Sequence, residues 1–330
     1  MLDTELQVAL DAVRLACALS RNVRAALVTE DTLTKKDRSP VTIADLGVQA
    51  IISDRLHAHF PGDPLMAEEE AGVLRAPENA ELQKKVLEHV ARIQPAMGEA
   101  QVMAAIDRGH HQGGATGRFW TMDPIDGTKG FIRNDQYAIA LALIENGQII
   151  LGVLGCPSLP EGSMSGKDGT GVILAARKGL GATVGSLAGK TMQTATVSPA
   201  ASPAEAVVCE SVETGHTSHS RSSRIAARLG ITKPSLHLDS QCKYSVVARG
   251  EASLYMRLPS KTSVYEEMIW DHAAGALIVA EAGGRVSDTA GKPLDFSLGR
   301  TLRNNVGVIA TNGRIHDRVI AAVQAVIAEG

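Results

Sequence analysis

The sequence predicts an α+β protein in two halves: an antiparallel sheet in the N-terminal half and a mostly parallel α/β sheet in the C-terminal half. Three observations predict it. The apolar runs Tyr137–Ile144 and Ile149–Leu154 flank Asn146-Gly147, and Asn-Gly between such runs is the strongest short signal for a β-hairpin. A second pair of runs, Val172–Arg177 and Ala182–Val184, surrounds Lys178-Gly-Leu-Gly181. After about residue 200, strand-like and helix-like segments alternate, the pattern of strands joined by crossover helices. A soft boundary there gives an N-terminal α+β domain, 1–200, and a C-terminal α/β domain, 201–330.

The elements follow in order. Leu6, Leu10, Val13, Ala16, Cys17 and Val23 lie near helical spacing and predict a helix over 3–28. The polar stretch Thr34–Pro40 ends it. A second helix runs from about Ile43 to His57 and stops before the turn signal Phe60-Pro61-Gly62. Between 71 and 118 the pattern predicts one helix near 80–93 and a Gly-rich loop over 109–118. Phe119–Met122 reads as a short strand, and the two hairpins follow. In the second half, Ala206–Cys209 precedes a helix near 219–229, and Leu236–Leu238 one near 241–249. Ala252–Leu258 precedes a helix near 271–282, and Val306–Ala310 the terminal helix 313–328.

Composition excludes several function classes. Lys+Arg 33 against Asp+Glu 36 leaves a net charge of −3, so no long-range field draws the chain to nucleic acid or an anionic membrane. Aromatic residues make up 3%, too few for a surface that stacks on bases. No apolar run reaches the roughly 18 residues needed to span a bilayer. The start, Met1–Leu6, is acidic and lacks a signal region, so the expectation is a cytoplasmic protein, or an organellar one if a targeting peptide has been removed. Cys17, Cys156, Cys209 and Cys242 are far apart and form no Cys-x-x-Cys pair, which reads as buried reduced thiols.

Four segments concentrate carboxylates or their partners. Asp123-Pro-Ile-Asp-Gly-Thr128 sets two acids three residues apart, with Gly127 for a tight turn and Thr128 where a helix can begin. Carboxylates and a backbone carbonyl are what a hard divalent cation prefers, and amides at a helix start suit a phosphate. For this motif read alone, an Asx-rich strand-to-turn connection stays open as the lesser alternative. Glu68-Glu69-Glu70 is by itself a solvated acidic run. Asp271, in Trp270–Gly275, can serve as a helix cap; His272 beside it reads as structural. Asp45, in Ser39–Asp45, can be a first-turn acid.

Taken jointly, Asp123–Thr128, Trp270–Gly275, Val41-Thr-Ile-Ala-Asp45 and the Glu68-Glu69 pair resemble the inositol monophosphatase superfamily over roughly residues 5–325. Further stretches resemble its 3'(2'),5'-bisphosphate nucleotidase branch: Lys129-Gly-Phe131, Val153–Pro157, Leu238–Tyr244, Tyr255–Pro259 and Glu267–His272. The resemblance implies a layered αβαβα sandwich and a Mg²⁺-dependent, lithium-sensitive phosphatase. Its substrate would be a small bisphosphate such as adenosine 3',5'-bisphosphate, and its partners neither nucleic-acid polymer nor membrane. The chain would be a monomer or weak oligomer. It further implies Glu68, Asp123 and the Ile125 carbonyl for one Mg²⁺ and Asp123, Asp126 and Asp271 for a second, with Glu68 reaching a third, looser ion. Asp45 and Thr128 would handle the attacking water. Thr128, His216, Ser240, Lys243, Arg257 and Asp271 would contact substrate, Lys243 and Arg257 holding the retained phosphate. An inositol phosphate phosphatase, or a silent nucleotide sensor on the same fold, stays open as an alternative.

Overall fold

The computed structural model describes residues 2–29, 39–162, 169–212, 219–259 and 266–329. Helices α1 (Asp3–Thr29) and α2 (Ser39–His59) open the chain. Val41, Ile43, Ala44, Leu46, Val48, Ala50, Ile51, Ile52 and Leu56 are all buried, so α2 buries apolar residues around most of its circumference, as a helix enclosed by neighbours does. It packs between α1, α4 (Ala80–Ile93), α5 (Glu99–Asp107) and strand β2 (Arg118–Asp126). The short α3 (Gly72–Arg75) precedes α4.

The first sheet has seven strands in chain order: β1 (Leu65–Ala67), β2 (Arg118–Asp126), β3 (Ala138–Glu145), β4 (Gln148–Cys156), β5 (Val172–Arg177), β6 (Ala182–Ser186) and β7 (Met192–Thr194). Pairing is antiparallel from β2 onward; β1 and β2 run parallel. The five-residue helix α6 (Thr128–Ile132) follows β2. At the β3–β4 turn, Asn146 and Gly147 have φ of 50° and 73°, the left-handed pair that a two-residue hairpin turn requires.

The second sheet has the order β11-β12-β10-β8-β9. Its strands are β8 (Val208–Glu210), β9 (Leu236–His237), β10 (Leu254–Arg257), β11 (Arg285–Ser287) and β12 (Val308–Thr311). Helices α7 (His219–Arg228), α8 (Cys242–Ala248) and α9 (Ala273–Glu281) join successive strands from β8 to β11, and α10 (His316–Ala328) closes the chain. Crossover helices make β8, β9, β10 and β11 point one way. The expected rhythm fails at β12, which inserts antiparallel between β10 and β11. It is reached by the long excursion 288–307 rather than by a crossover helix, so the strand returns in the opposite sense.

Helices and sheets stack in five layers: α1 and α2, the seven-stranded sheet, α8 and α9, the five-stranded sheet, then α7 and α10. Among the described residues, three apolar clusters fill the four interfaces between layers; the middle one, including Leu154, Tyr244 and Leu277, spans both sides of α8 and α9. With few aromatics, aliphatic and alanine side chains carry this packing. All four cysteines are buried free thiols, and burial pushes Cys17 and Cys209 up to about 12. No described helix is long and apolar enough to cross a membrane.

Candidate active site

Parity governs the central motif. Side chains alternate faces along a strand, so residues three apart point to opposite sides. In β2, Asp123 pairs with Ala140 and Asp126 with Ala138, so three steps on β2 oppose two on β3. This extra residue is a β-bulge, which bends the strand and re-aims side chains. Asp123 and Asp126 therefore act on one another electrostatically. The bulge also leaves the Ile125 peptide outside the regular ladder.

The parallel β1–β2 pairing brings in the next acid. Ala67 stands opposite Met122, so Glu68, one residue beyond, lies beside Asp123. The buried amide of Gln49 on α2 fixes that segment. It donates to Glu69 O (2.8 Å) and accepts from Glu69 N (3.1 Å). Asp45 lies one helical turn before Gln49, buried against the same acids. The fourth segment comes from the C-terminal half: a 3-10 turn, Ile269–Asp271, places Asp271 at the start of α9.

The electrostatics record this convergence. Burial, then repulsion from Glu68, Asp126, Asp271 and Asp45, holds Asp123 well above the usual carboxylate range. Asp45 and Asp271 are raised well above it too, first by burial and then by neighbouring acids. Glu68 opens to solvent on one side, but the protein crowding its carboxylate, followed by Glu69 and Asp126, pushes it up to about 7. Asp126 is raised by burial, against the opposing pull of Lys243 and the Gln241 amide. Asp123 and Asp45 are buried at the floor, while Asp126 and Asp271 are partly exposed and Glu68 and Thr128 open to solvent at the mouth.

A divalent cation fits these residues. Asp123 Oδ1 is buried without a hydrogen-bond partner among the described residues, which is costly for a carboxylate unless a positive ion sits there. The repelling acids need the same counter-charge. Glu267, Asp271 and His272 also bring ligand atoms within 4.8 Å of one another. Both nitrogens of His272 are engaged, Nδ1 with Tyr244 OH (2.8 Å) and Nε2 with Glu267 Oε2 (3.2 Å), so His272 is a structural residue.

Thr128 is exposed at the first position of α6, after Gly127. Gly127 has φ 89°, and a Cβ there would lie 2.8 Å from Ser240 Cβ, so only glycine serves this turn. Helix α6 packs beside α2, the helix of Asp45. Ser240 is itself left-handed, at φ 64°, and its Oγ caps Cys242 N at 3.2 Å.

Lys243 is buried. Its ammonium points to Leu238 O (3.4 Å) and lies 5.3 Å from the Tyr255 ring centre. Burial lowers its pKa, and Asp126 opposes the shift. Arg257 is half-buried and held by Glu267 at 2.6 Å. Glu267 and neighbouring anions keep it protonated against burial. His216 lies outside the described residues.

Three residues of the site were given no role by the sequence: Gln49, Gln241 and Arg300. Arg300 donates to Ala67 O at 3.0 Å and stacks over the Trp270 ring at 4.6 Å. It thus ties the Glu68 segment to the Asp271 segment.

The inositol monophosphatase family model matches residues 1–328. The chain belongs to the inositol monophosphatase family. Among members of this family, it is 43% identical to the 3'(2'),5'-bisphosphate nucleotidase of Schizosaccharomyces pombe, over 98% of this chain and 96% of that protein. It is 44% identical to that of Emericella nidulans, over 90% and 91%, and 41% identical to that of Oryza sativa, over 98% and 95%. Among solved structures, Thermotoga maritima IMPase TM1415 superposes with a TM-score of 0.64 at 23% identity, covering 99% of both chains. CysQ from Bacteroides thetaiotaomicron gives 0.59 at 21%, covering 93% of this chain and 97% of that one. These two likenesses carry the fold. Family members are generally Mg²⁺-dependent, and the acids converging here suit a divalent cation.

Proposed function

We propose that this chain is a Mg²⁺-dependent 3'(2'),5'-bisphosphate nucleotidase that hydrolyses adenosine 3',5'-bisphosphate to AMP and phosphate. One observation carries the reading: Glu68, Asp123, Asp126 and Asp271 converge from both halves of a chain more than 40% identical to proteins of that name.

Glu68, Asp123 and the Ile125 carbonyl would hold one Mg²⁺, and Asp123, Asp126 and Asp271 a second, with Glu68 able to reach a third. Bound there, Mg²⁺ supplies charge to the phosphate oxygens and acidifies water. The chain's own residues do the rest. Thr128 stands at the open mouth, where its hydroxyl would orient the attacking water. Asp45 would accept a proton through that hydroxyl, because threonine alone is too weak a base. The acids at the floor would exclude other anions until cations neutralise them, so metal would have to bind before substrate or with it. Thiols pushed up to about 12 are poor nucleophiles, which favours direct transfer to water over a covalent intermediate.

Ser240, Lys243 and Arg257, with His216, would hold the rest of the nucleotide. Arginine grips phosphate through parallel hydrogen bonds, and lysine supplies a compact charge. Li⁺ is expected to inhibit by taking a Mg²⁺ position. The test is phosphate release from adenosine 3',5'-bisphosphate, 3'-phosphoadenylyl sulfate, inositol 1,4-bisphosphate, inositol 1-phosphate and fructose 1,6-bisphosphate, with Mg²⁺ and with excess EDTA. Fastest release from the adenosine bisphosphate, abolished by EDTA, is the expected result. Preference for inositol 1-phosphate would replace the nucleotidase reading, and no release from any of them would favour a silent sensor.

A further inference from the structure

The carbonyl of Gln241 starts the α8 ladder, accepting from Tyr244 N at 3.0 Å and Ser245 N at 3.3 Å, while its N–H and side-chain amide reach the metal-ligand segments. Its backbone N–H donates to Asp126 Oδ2. Its side-chain Nε2 donates to Trp270 O at 2.9 Å, and its Oε1 accepts from Gly275 N at 3.1 Å. Those two contacts bracket Asp271 on either side. Asp126 ends β2 in the N-terminal half, while Asp271 opens α9 in the C-terminal half. The side chain is 2% exposed, and its amide is spanned at both ends, so it has one orientation. Ser240, just before it, is left-handed and lies so close to Gly127 that a Cβ on that glycine would meet it, so the turn of the central motif abuts the residue from that side as well.

We propose that Gln241 is a positioning residue that sets the spacing of Asp126 and Asp271 for the cation those two share. This rests on the ligand assignment given above. The backbone bond commits one oxygen of Asp126 and leaves the other for the ion. The side-chain amide fixes the peptides that carry Asp271. A carboxylate pair held this way needs little rearrangement when the ion arrives. Residues that orient metal ligands typically contribute about 10- to 100-fold to affinity.

The test is binding of Mn²⁺ alone, followed by electron paramagnetic resonance on the purified full chain, in wild type, Gln241→Met, Gln241→Asn and Asp271→Asn. Methionine fills the space without hydrogen bonds; asparagine stays polar but is too short to span both partners, so it serves if the methionine variant folds poorly. Asp271→Asn should lose one class of ion, identifying the shared position. Either Gln241 variant should weaken that same class about 10- to 100-fold and leave the other within about two-fold. At saturating Mg²⁺, kcat should then recover to within about three-fold of wild type. A purely structural role would lower melting temperature and active fraction at every metal concentration, with affinities unchanged. That result overturns the proposal. Unaltered ion binding in Asp271→Asn would instead remove the ligand assignment itself.

Discussion

Gly275→Ala is the smallest change that strains the site's framework. A Cβ on Gly275 would lie under 3.0 Å from Cβ, Cγ and Cδ2 of Tyr244. Tyr244 cannot move aside, because it is buried, its hydroxyl bonds His272 at 2.8 Å, and its ring packs edge-on against Tyr255. Overpacking of this kind costs about 1–3 kcal/mol, and a fixed ring puts it at the upper end. Alanine recovers about 1 kcal/mol of helix propensity within α9, leaving a net loss of about 2 kcal/mol. A chain of 330 residues has an unfolding entropy of about 0.7 kcal/mol/K, so the melting temperature should fall by about 3 °C. The backbone must shift to relieve the contact, which pulls Gly275 N from Gln241 and moves Asp271. The Mg²⁺ concentration for half-maximal activity should therefore rise. Calorimetry and a Mg²⁺ titration measure both effects. A variant as stable as wild type with an unchanged Mg²⁺ requirement would refute the reasoning, since it would show that α9 and α8 have slack.

Three further predictions follow from the same geometry. Asp126→Asn keeps an oxygen to accept from Gln241 N but loses its charge, so turnover should drop at least about 10²-fold with the circular dichroism spectrum unchanged; full turnover at saturating Mg²⁺ would take Asp126 out of the metal site. His316 is buried between Ser287 Oγ (2.9 Å) and Thr311 Oγ1 (3.0 Å), and burial lowers it to about 4. The unfolded chain then binds more protons between about pH 6.5 and 4, so this contribution is full above 6.5 and lost as pH falls to 4, with a slope of at most about 1.4 kcal/mol per pH unit. His316→Gln should flatten the melting temperature over that window, and an unchanged slope would count against it. Lys243→Met and Arg257→Ala should each weaken adenosine 3',5'-bisphosphate by about 1.5–3 kcal/mol in kcat/KM and affect adenosine 3'-monophosphate far less. Equal losses on both would assign these residues to the fold.

What the sequence revealed and what it hid have physical reasons. Asn146-Gly147 fixed a hairpin because its two residues accept the left-handed backbone that the turn demands. The helix Ala80–Ile93 was legible from its apolar periodicity. The strands β7 and β11, at sheet edges and three residues long, are too short to show alternation. The direction of β12 depends on the path of 288–307, which periodicity does not encode. At the site, the motifs named the acids, but Asp123 and Asp126 reach one another only through a bulge that the Asp-Pro-Ile-Asp string does not declare. The resemblance named Lys243 as a substrate contact, but its burial was not legible because it depends on Tyr255 and Leu238 closing around it. Gln49, Gln241 and Arg300 were silent for the same reason: each works through partners distant in the chain, and an amide or guanidinium gives no local hint of them.

The central claim is that this site removes the 3'-phosphate of a bisphosphorylated adenosine with Mg²⁺. The most direct measurement is chromatographic identification of the products from adenosine 3',5'-bisphosphate with the wild-type chain, with Mg²⁺ and again in excess EDTA. AMP and phosphate in equal amounts, formed only with Mg²⁺, are the predicted result. Adenosine 3'-phosphate as the product, or equal turnover in EDTA, would contradict the account.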